Sequence, residues 1–117
     1  MIKNAIASLA VSDVSKAAVW YERLFGRPAD AAPMKELVEW KFKAGGWLQV
    51  YQAPDRAGNG SCTLSVTDLA DEVSRLQQAG FETSEPAQTA TVRVMMIRDP
   101  DGNSIALAEM SSSAIAQ

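Results

Sequence analysis

The side chains able to do chemistry in this sequence are few, and those with the most suggestive spacing are neutral. Histidine is absent and cysteine occurs once, at Cys62. That removes the usual ligands of zinc, copper and nickel and every imidazole-based acid, base or nucleophile. Any reaction would have to run on carboxylates, hydroxyls, lysine, arginine or shape. The richest cluster is Trp47-Leu48-Gln49-Val50-Tyr51. If it is a strand, alternate residues share a face. An amide that can both donate and accept then stands between two rings able to stack on a planar ligand. The competing readings are core filling for the rings and a satisfied polar group in a wet cleft for Gln49. Arg93 has the fork to grip an anion or, as a lone strand arginine, to face solvent or an ion-pair partner. Cys62 falls on a core-facing position with no base beside it, and reads as a small apolar residue. Asp99-x-Asp101-x-Asn103 has the look of a calcium loop, but its glycine is misplaced for one; it reads as a turn. Glu36, Glu39, Glu82 and Glu85 read as solubilising charges near strand edges.

The elements that must position these residues come in two copies. Leu9-Ala10-Val11-Ser12-Asp13-Val14 recurs as Leu64-Ser65-Val66-Thr67-Asp68-Leu69, and each copy reads as a strand end leading into a helix. Asp13 and Asp68 are suited to accept an orphan N–H as N-caps. Val14, Ala17, Ala18, Tyr21, Leu24 and Phe25, and then Leu69, Val73, Leu76 and Ala79, follow helical spacing. Gly26 and Gly80 end the helices, with Pro28 and Pro86 beyond. Strands are expected over Ala29–Pro33, Lys35–Lys43 and Trp47–Gln52 in the first copy, with Gly45-Gly46 as a turn. In the second they are expected over Phe81–Thr83, Thr91–Arg98 and Ser104–Met110, with the last turn at Asp99–Asn103. Each half is therefore β-α-β-β-β. A single α+β domain over residues 1–117 is expected, module one at about 1–53, module two at about 60–110 and a tail at 111–117. Alternation under the helices directs Ile6, Ser8, Ser61, Thr63, Trp47, Gln49, Tyr51, Ser104 and Ala106 to the opposite, open face. Trp40 and Phe42 share a face that is either core or interface.

Composition excludes several classes of function. The chain has 117 residues, 47% of them hydrophobic, and a net charge of −3. That suits one globular domain. It does not suit nucleic-acid binding, which needs a basic face. No apolar run reaches the roughly 20 residues that span a bilayer, and the first residues lack the pattern of a secretory signal. With one cysteine and no internal disulfide, the cytoplasm is the expected compartment.

The paired Val-Ser-Asp and Val-Thr-Asp helix starts, Trp20-Tyr21-Glu22-Arg23-Leu24-Phe25-Gly26, and Asp99-Pro100-Asp101-Gly102-Asn103, in this order, resemble the vicinal oxygen chelate superfamily. It includes glyoxalase I, extradiol dioxygenases, fosfomycin-resistance enzymes and bleomycin-resistance proteins. The likeness runs from about Ile6 to Met110 and implies two βαβββ modules forming a cupped mixed sheet flanked by helices. It also implies four metal positions in metal-dependent members, which here fall on Ile6, Gln49, Ser61 and Ala106. A divalent ion needs several imidazole, thiolate or carboxylate donors together, so no metal ligand, catalytic residue or cofactor is assigned.

The expected function is metal-free binding of an apolar, aromatic or cationic small molecule in the cup. Its candidate residues are Ile6, Ser8, Trp47, Gln49, Tyr51, Ser61, Thr63, Arg93, Ser104 and Ala106. The resemblance further implies a homodimer and a role in drug resistance. The alternatives are a lyase, isomerase or dioxygenase of the same superfamily with an atypical or absent metal site, and an interaction domain whose clefts are vestigial.

Overall fold

The computed structural model describes residues 1–111; the rest of the expected tail lies outside the described residues. The chain forms two compact units, one of Met1–Gly60 with Asp99–Asn103, the other of Ser61–Arg98 with the chain from Ser104 onward. Both expected βαβββ modules are present, giving an α+β fold. Each module builds its own four-stranded mixed sheet.

In the first unit the elements are β1 (Ile6–Val11), α1 (Val14–Phe25), β2 (Ala31–Met34), β3 (Leu37–Lys41) and β4 (Trp47–Gln52). The sheet order is β1-β4-β3-β2. β1 and β4 run parallel, as a connection through a helix and hairpins allows, while the remaining pairs are antiparallel. α1 starts where Asp13 Oδ1 accepts the backbone N–H groups of Ser15 and Lys16 at 2.9 and 3.2 Å, satisfying donors that the helix cannot. It stops at Gly26, whose φ of 73° is left-handed and which closes the last turn on the Glu22 carbonyl at 2.8 Å.

One apolar stripe of α1, Val14, Ala17, Tyr21 and Leu24, is buried. Beneath it lie Leu9, Val11, Trp40, Leu48 and Val50, also buried. Each such aliphatic or aromatic side chain stabilises the fold by roughly 1.5–3 kcal/mol. The ring contacts of Trp40 with Tyr21 at 6.0 Å and with Phe25 at 5.2 Å fix which face of the sheet the helix covers. Trp40 is therefore core, and its indole N–H donates to the Arg27 carbonyl at 3.1 Å.

Asp99–Asn103 is a turn, closed by the Asp99 N–H donating to the Asn103 carbonyl at 3.0 Å. It also stitches the first unit together. The Tyr21 hydroxyl donates to Asp99 Oδ2 at 2.7 Å. Asn103 Nδ2 donates to the Ala10 carbonyl and to Asp99 Oδ2, both at 2.8 Å, and Asn103 Oδ1 accepts the Gly60 N–H at 2.8 Å. Burying so many polar atoms is tolerable because each finds a partner.

The second unit repeats the plan with β5 (Ser61–Ser65), α2 (Leu69–Gln78), β6 (Ala87–Gln88), β7 (Val92–Arg98) and β8 (Ser104–Met110), ordered β5-β8-β7-β6. Asp68 Oδ1 accepts the Asp71 N–H at 3.1 Å as the N-cap. Leu69, Leu76, Met95, Ile97, Ile105 and Leu107 are buried. The strand expected over Phe81–Thr83 does not form, and the short strand lies instead at Ala87–Gln88. The reason is local. The Phe81 N–H closes the helix end on the Leu76 carbonyl at 2.9 Å, and Thr83 Oγ1 accepts from Gln77 Nε2 at 2.9 Å. These residues finish the helix rather than start a ladder. Among the described residues no helix is long and apolar enough to cross a membrane.

Candidate ligand-binding site

Strand register turns the open face of the first sheet into a small lattice. Side chains on the helix side are Leu9, Val11, Leu48, Val50 and Trp40, so the alternate residues face away from α1. Cross-strand pairing sets these in three rows: Ile6–Trp47–Lys41, Ser8–Gln49–Glu39 and Ala10–Tyr51–Leu37. Ala31 of β2 extends the middle row beside Glu39. A polar row thus runs between two rows that each carry an aromatic ring.

The middle row is hydrogen-bonded across three strands. Gln49 Nε2 donates to Glu39 Oε2 at 3.1 Å, and the Ser8 hydroxyl donates to Gln49 Oε1 at 3.4 Å. The Gln49 amide is thereby oriented with its nitrogen toward β3 and its oxygen toward β1. The flanking rings already carry cations. Lys41 Nζ lies 4.5 Å from the Trp47 ring centroid and the Arg56 guanidinium carbon 5.5 Å from that of Tyr51, as the negative face of an aromatic ring favours. At the rim, Arg27 Nη1 donates to both Asp30 oxygens at 2.8 and 2.7 Å. That side-chain bond, then the Lys41 backbone N–H at 2.7 Å, holds the Asp30 carboxyl below its ordinary range.

The second sheet presents the same lattice with different chemistry. Its rows are Ser61–Ser104–Arg98, Thr63–Ala106–Met96 and Ser65–Ala108–Val94. The repeat therefore matches Gln49 with Ala106, Glu39 with Met96 and Lys41 with Arg98. This face is hydroxyl-bearing on β5 and, apart from Arg98, apolar toward β7, with Met96 51% exposed.

Ile6, Ser8, Trp47, Gln49 and Tyr51 thus share the open face of the first sheet, and Ser61, Thr63, Ser104 and Ala106 that of the second. Arg93 is the exception. It pairs with Glu109 and has the same strand parity as the buried Met95 and Ile97. Glu109 accepts the first N–H of α2, from Leu69, at 2.7 Å, so Arg93 stands on the helix-covered side. The run Val94-Met95-Met96-Ile97 is apolar throughout and carries no alternation from which a face can be read. Arg98, with the opposite parity, stands in the row of Ser61 and Ser104. Glu39 also departs from expectation: it is 6% exposed, a buried carboxylate rather than a solubilising edge charge. The hairpin signalled its pairing, because Glu39 and Gln49 are equidistant from the Ala44 midpoint of the turn and must meet across the ladder, but not its burial.

The four positions that hold a metal in metal-dependent relatives do not fit a divalent ion. Ile6 and Ala106 have no donor atom, and Ser61 offers a neutral hydroxyl. Gln49 has its amide engaged by Glu39 and Ser8. Among the described residues no group of three or more His, Cys, Asp or Glu side chains could hold one either.

The chain matches the family model of the Glyoxalase/Bleomycin resistance protein/Dioxygenase superfamily over residues 4–107. Among solved structures, a glyoxalase/bleomycin resistance protein from Catenulispora acidiphila DSM 44928 is 32% identical, with a TM-score of 0.85 over 94% of this chain and 100% of that one. The antibiotic binding protein TnmS3 from Streptomyces sp. CB03234 is 25% identical, with a TM-score of 0.78 over 95% of this chain and 98% of that one. The bleomycin resistance determinant encoded on the transposon Tn5 shares the fold at 20% identity, with a TM-score of 0.79 over 94% and 99% of the two chains. No curated protein matches the sequence. With nearly the whole chain covered by the family model, and both βαβββ modules in place, the protein belongs to the Glyoxalase/Bleomycin resistance protein/Dioxygenase superfamily.

Proposed function

We propose that this protein binds a small organic molecule without metal chemistry, on the sheet faces that the helices leave open. The observation that carries the reading is the Ser8–Gln49–Glu39 row between Trp47 and Tyr51. It is an oriented set of hydrogen-bonding groups flanked by rings, the composition that small-molecule sites favour. The emptied donor positions support binding over catalysis. So does the likeness to a Streptomyces protein that binds an antibiotic, which makes an aromatic or cationic drug the ligand class to test first. Sequestration of such a compound would confer resistance. A cytoplasmic homodimer is the proposed working form, and light scattering checks its mass.

The test is a thermal-shift screen of aromatic and cationic compounds, bleomycin and related antibiotics among them, on metal-depleted protein. A ligand at a hundred times its Kd stabilises the folded state by about 2.7 kcal/mol, enough to raise the midpoint by several degrees. If no compound moves it, the binding reading is wrong. If only metal-supplemented protein responds, a metal-dependent activity takes its place.

A further inference from the structure

Glu39 is the residue on the open face of the first sheet whose environment calls for something more. The residue is 6% exposed, yet its side chain receives one hydrogen bond among the described residues, at Oε2 from the neutral Gln49 amide at 3.1 Å, and no oxygen of it is both buried and unbonded. A carboxylate has room for about four donors, and a buried charge is ordinarily paired with an opposite charge. On its own strand face, Lys41 lays its ammonium over Trp47 instead. In the loop after α1, Arg27 is engaged by Asp30, and Arg56, in the turn after β4, lies over Tyr51. Each of these three cations has a partner, and among the described residues Glu39 has no ionic one.

The internal repeat shows that the fold does not require a carboxylate there. At the matching lattice position the second sheet has Met96, and Ala106 where the first has Gln49. The Glu39–Gln49 pair is peculiar to the first sheet. Gln49 fixes the carboxylate while leaving its other lone pairs unused, and Trp47 and Tyr51 flank it.

We infer that Glu39 recognises a protonated amine or amidine-type nitrogen on the ligand, with the adjacent rings receiving the organic body. The inference rests on the binding function proposed above and narrows it to cations bearing N–H donors. Charge-assisted hydrogen bonds of this kind are worth about 10- to 100-fold in affinity.

The test uses matched probes: tryptamine, tryptophol and indole-3-acetate, and phenethylamine, 2-phenylethanol and phenylacetate. Each is titrated into nitrogen-15-labelled protein while the Gln49 side-chain amide is observed. The amines are expected to bind about 10- to 100-fold more tightly than the alcohols, with the acids weakest. Glu39→Gln should abolish the amine preference, bringing the ratio of amine to alcohol affinity to about one. Glu39→Met, which installs the second module's own residue, should do the same and provides a folded variant should the glutamine one fail. Equal binding of amines and alcohols, or an amine preference that survives either substitution, overturns the role of Glu39 while leaving small-molecule binding intact. If no probe of any charge moves the Gln49 amide, the proposed binding face itself is wrong, which is a distinguishable result.

Discussion

Replacing Tyr21 by phenylalanine tests how far the Asp99–Asn103 turn holds the first unit together. Tyr21 and Asn103 are fully buried and Asp99 is 4% exposed. The Asp99 carboxylate accepts from the Tyr21 hydroxyl, from Asn103 Nδ2 and from the backbone N–H groups of Asp101 and Asn103, at 2.7, 2.8, 3.0 and 2.9 Å. Tyr21→Phe deletes the first of these. The ring remains against Trp40 and Phe25, so no cavity opens. A hydrogen bond to a charged group contributes about 1.5–3 kcal/mol. Three donors stay on Asp99, which places the loss near the low end, at about 2 kcal/mol. For a domain of this size that corresponds to a fall in Tm on the order of 10 °C, or about 1 M in the urea midpoint at an ordinary slope. Urea unfolding followed by fluorescence and circular dichroism, with coincident transitions required, gives the number. Asn103→Ala should cost more, because it removes the bonds to Ala10, Asp99 and Gly60 together. A Tyr21→Phe variant within about 0.5 kcal/mol of the parent, the range of ordinary surface changes, would refute the reasoning: the turn would then be a loop like any other.

Three further outcomes are expected. Asp13→Ala removes the acceptor for two N–H groups of α1 and should cost about 1 kcal/mol in urea unfolding. Gly58→Ala should be more damaging. Its φ of 87° is left-handed, and a Cβ there would run into the Asp101 carbonyl oxygen; a loss of roughly 2 kcal/mol or more should appear as a lowered Tm. The Asp30 carboxyl is held below its ordinary value of 3.8, chiefly by the Arg27 hydrogen bond. Its contribution to stability is therefore present above that value and lost as pH falls through the lower folded one. Asp30→Asn should accordingly be less stable than the parent at neutral pH, and the gap should close only in acid below about pH 4, as a series of urea titrations would show.

Much of this was legible in the sequence because the signals are local. Asp13 and Asp68 cap their helices through bonds to residues two or three positions on, and Gly26 ends α1 by its own backbone conformation. Strand alternation correctly separated Ile6, Ser8, Trp47, Gln49 and Tyr51 from the core in the first sheet, because polar and apolar residues take turns there. It could not do so for Arg93, where the strand is apolar on both faces. The burial of Glu39 was not legible either, since it depends on what the fold places around it. The same holds for the Asp99 turn, whose hydroxyl donor Tyr21 comes from a helix far back in the chain. The position of β6 was missed because Phe81 and Thr83, suitable strand residues by type, are recruited to finish α2.

The most direct test of metal-free binding on the open sheet faces is a chemical-shift map of the best screening hit on protein treated with a chelator. The expected result is an affinity unchanged by the chelator, with perturbed resonances at Ser8, Gln49, Trp47 and Tyr51 and silence at helix-side residues such as Trp40 and Val50. Binding that vanishes with the chelator, or shifts that gather on the helix side of the sheet, would contradict it.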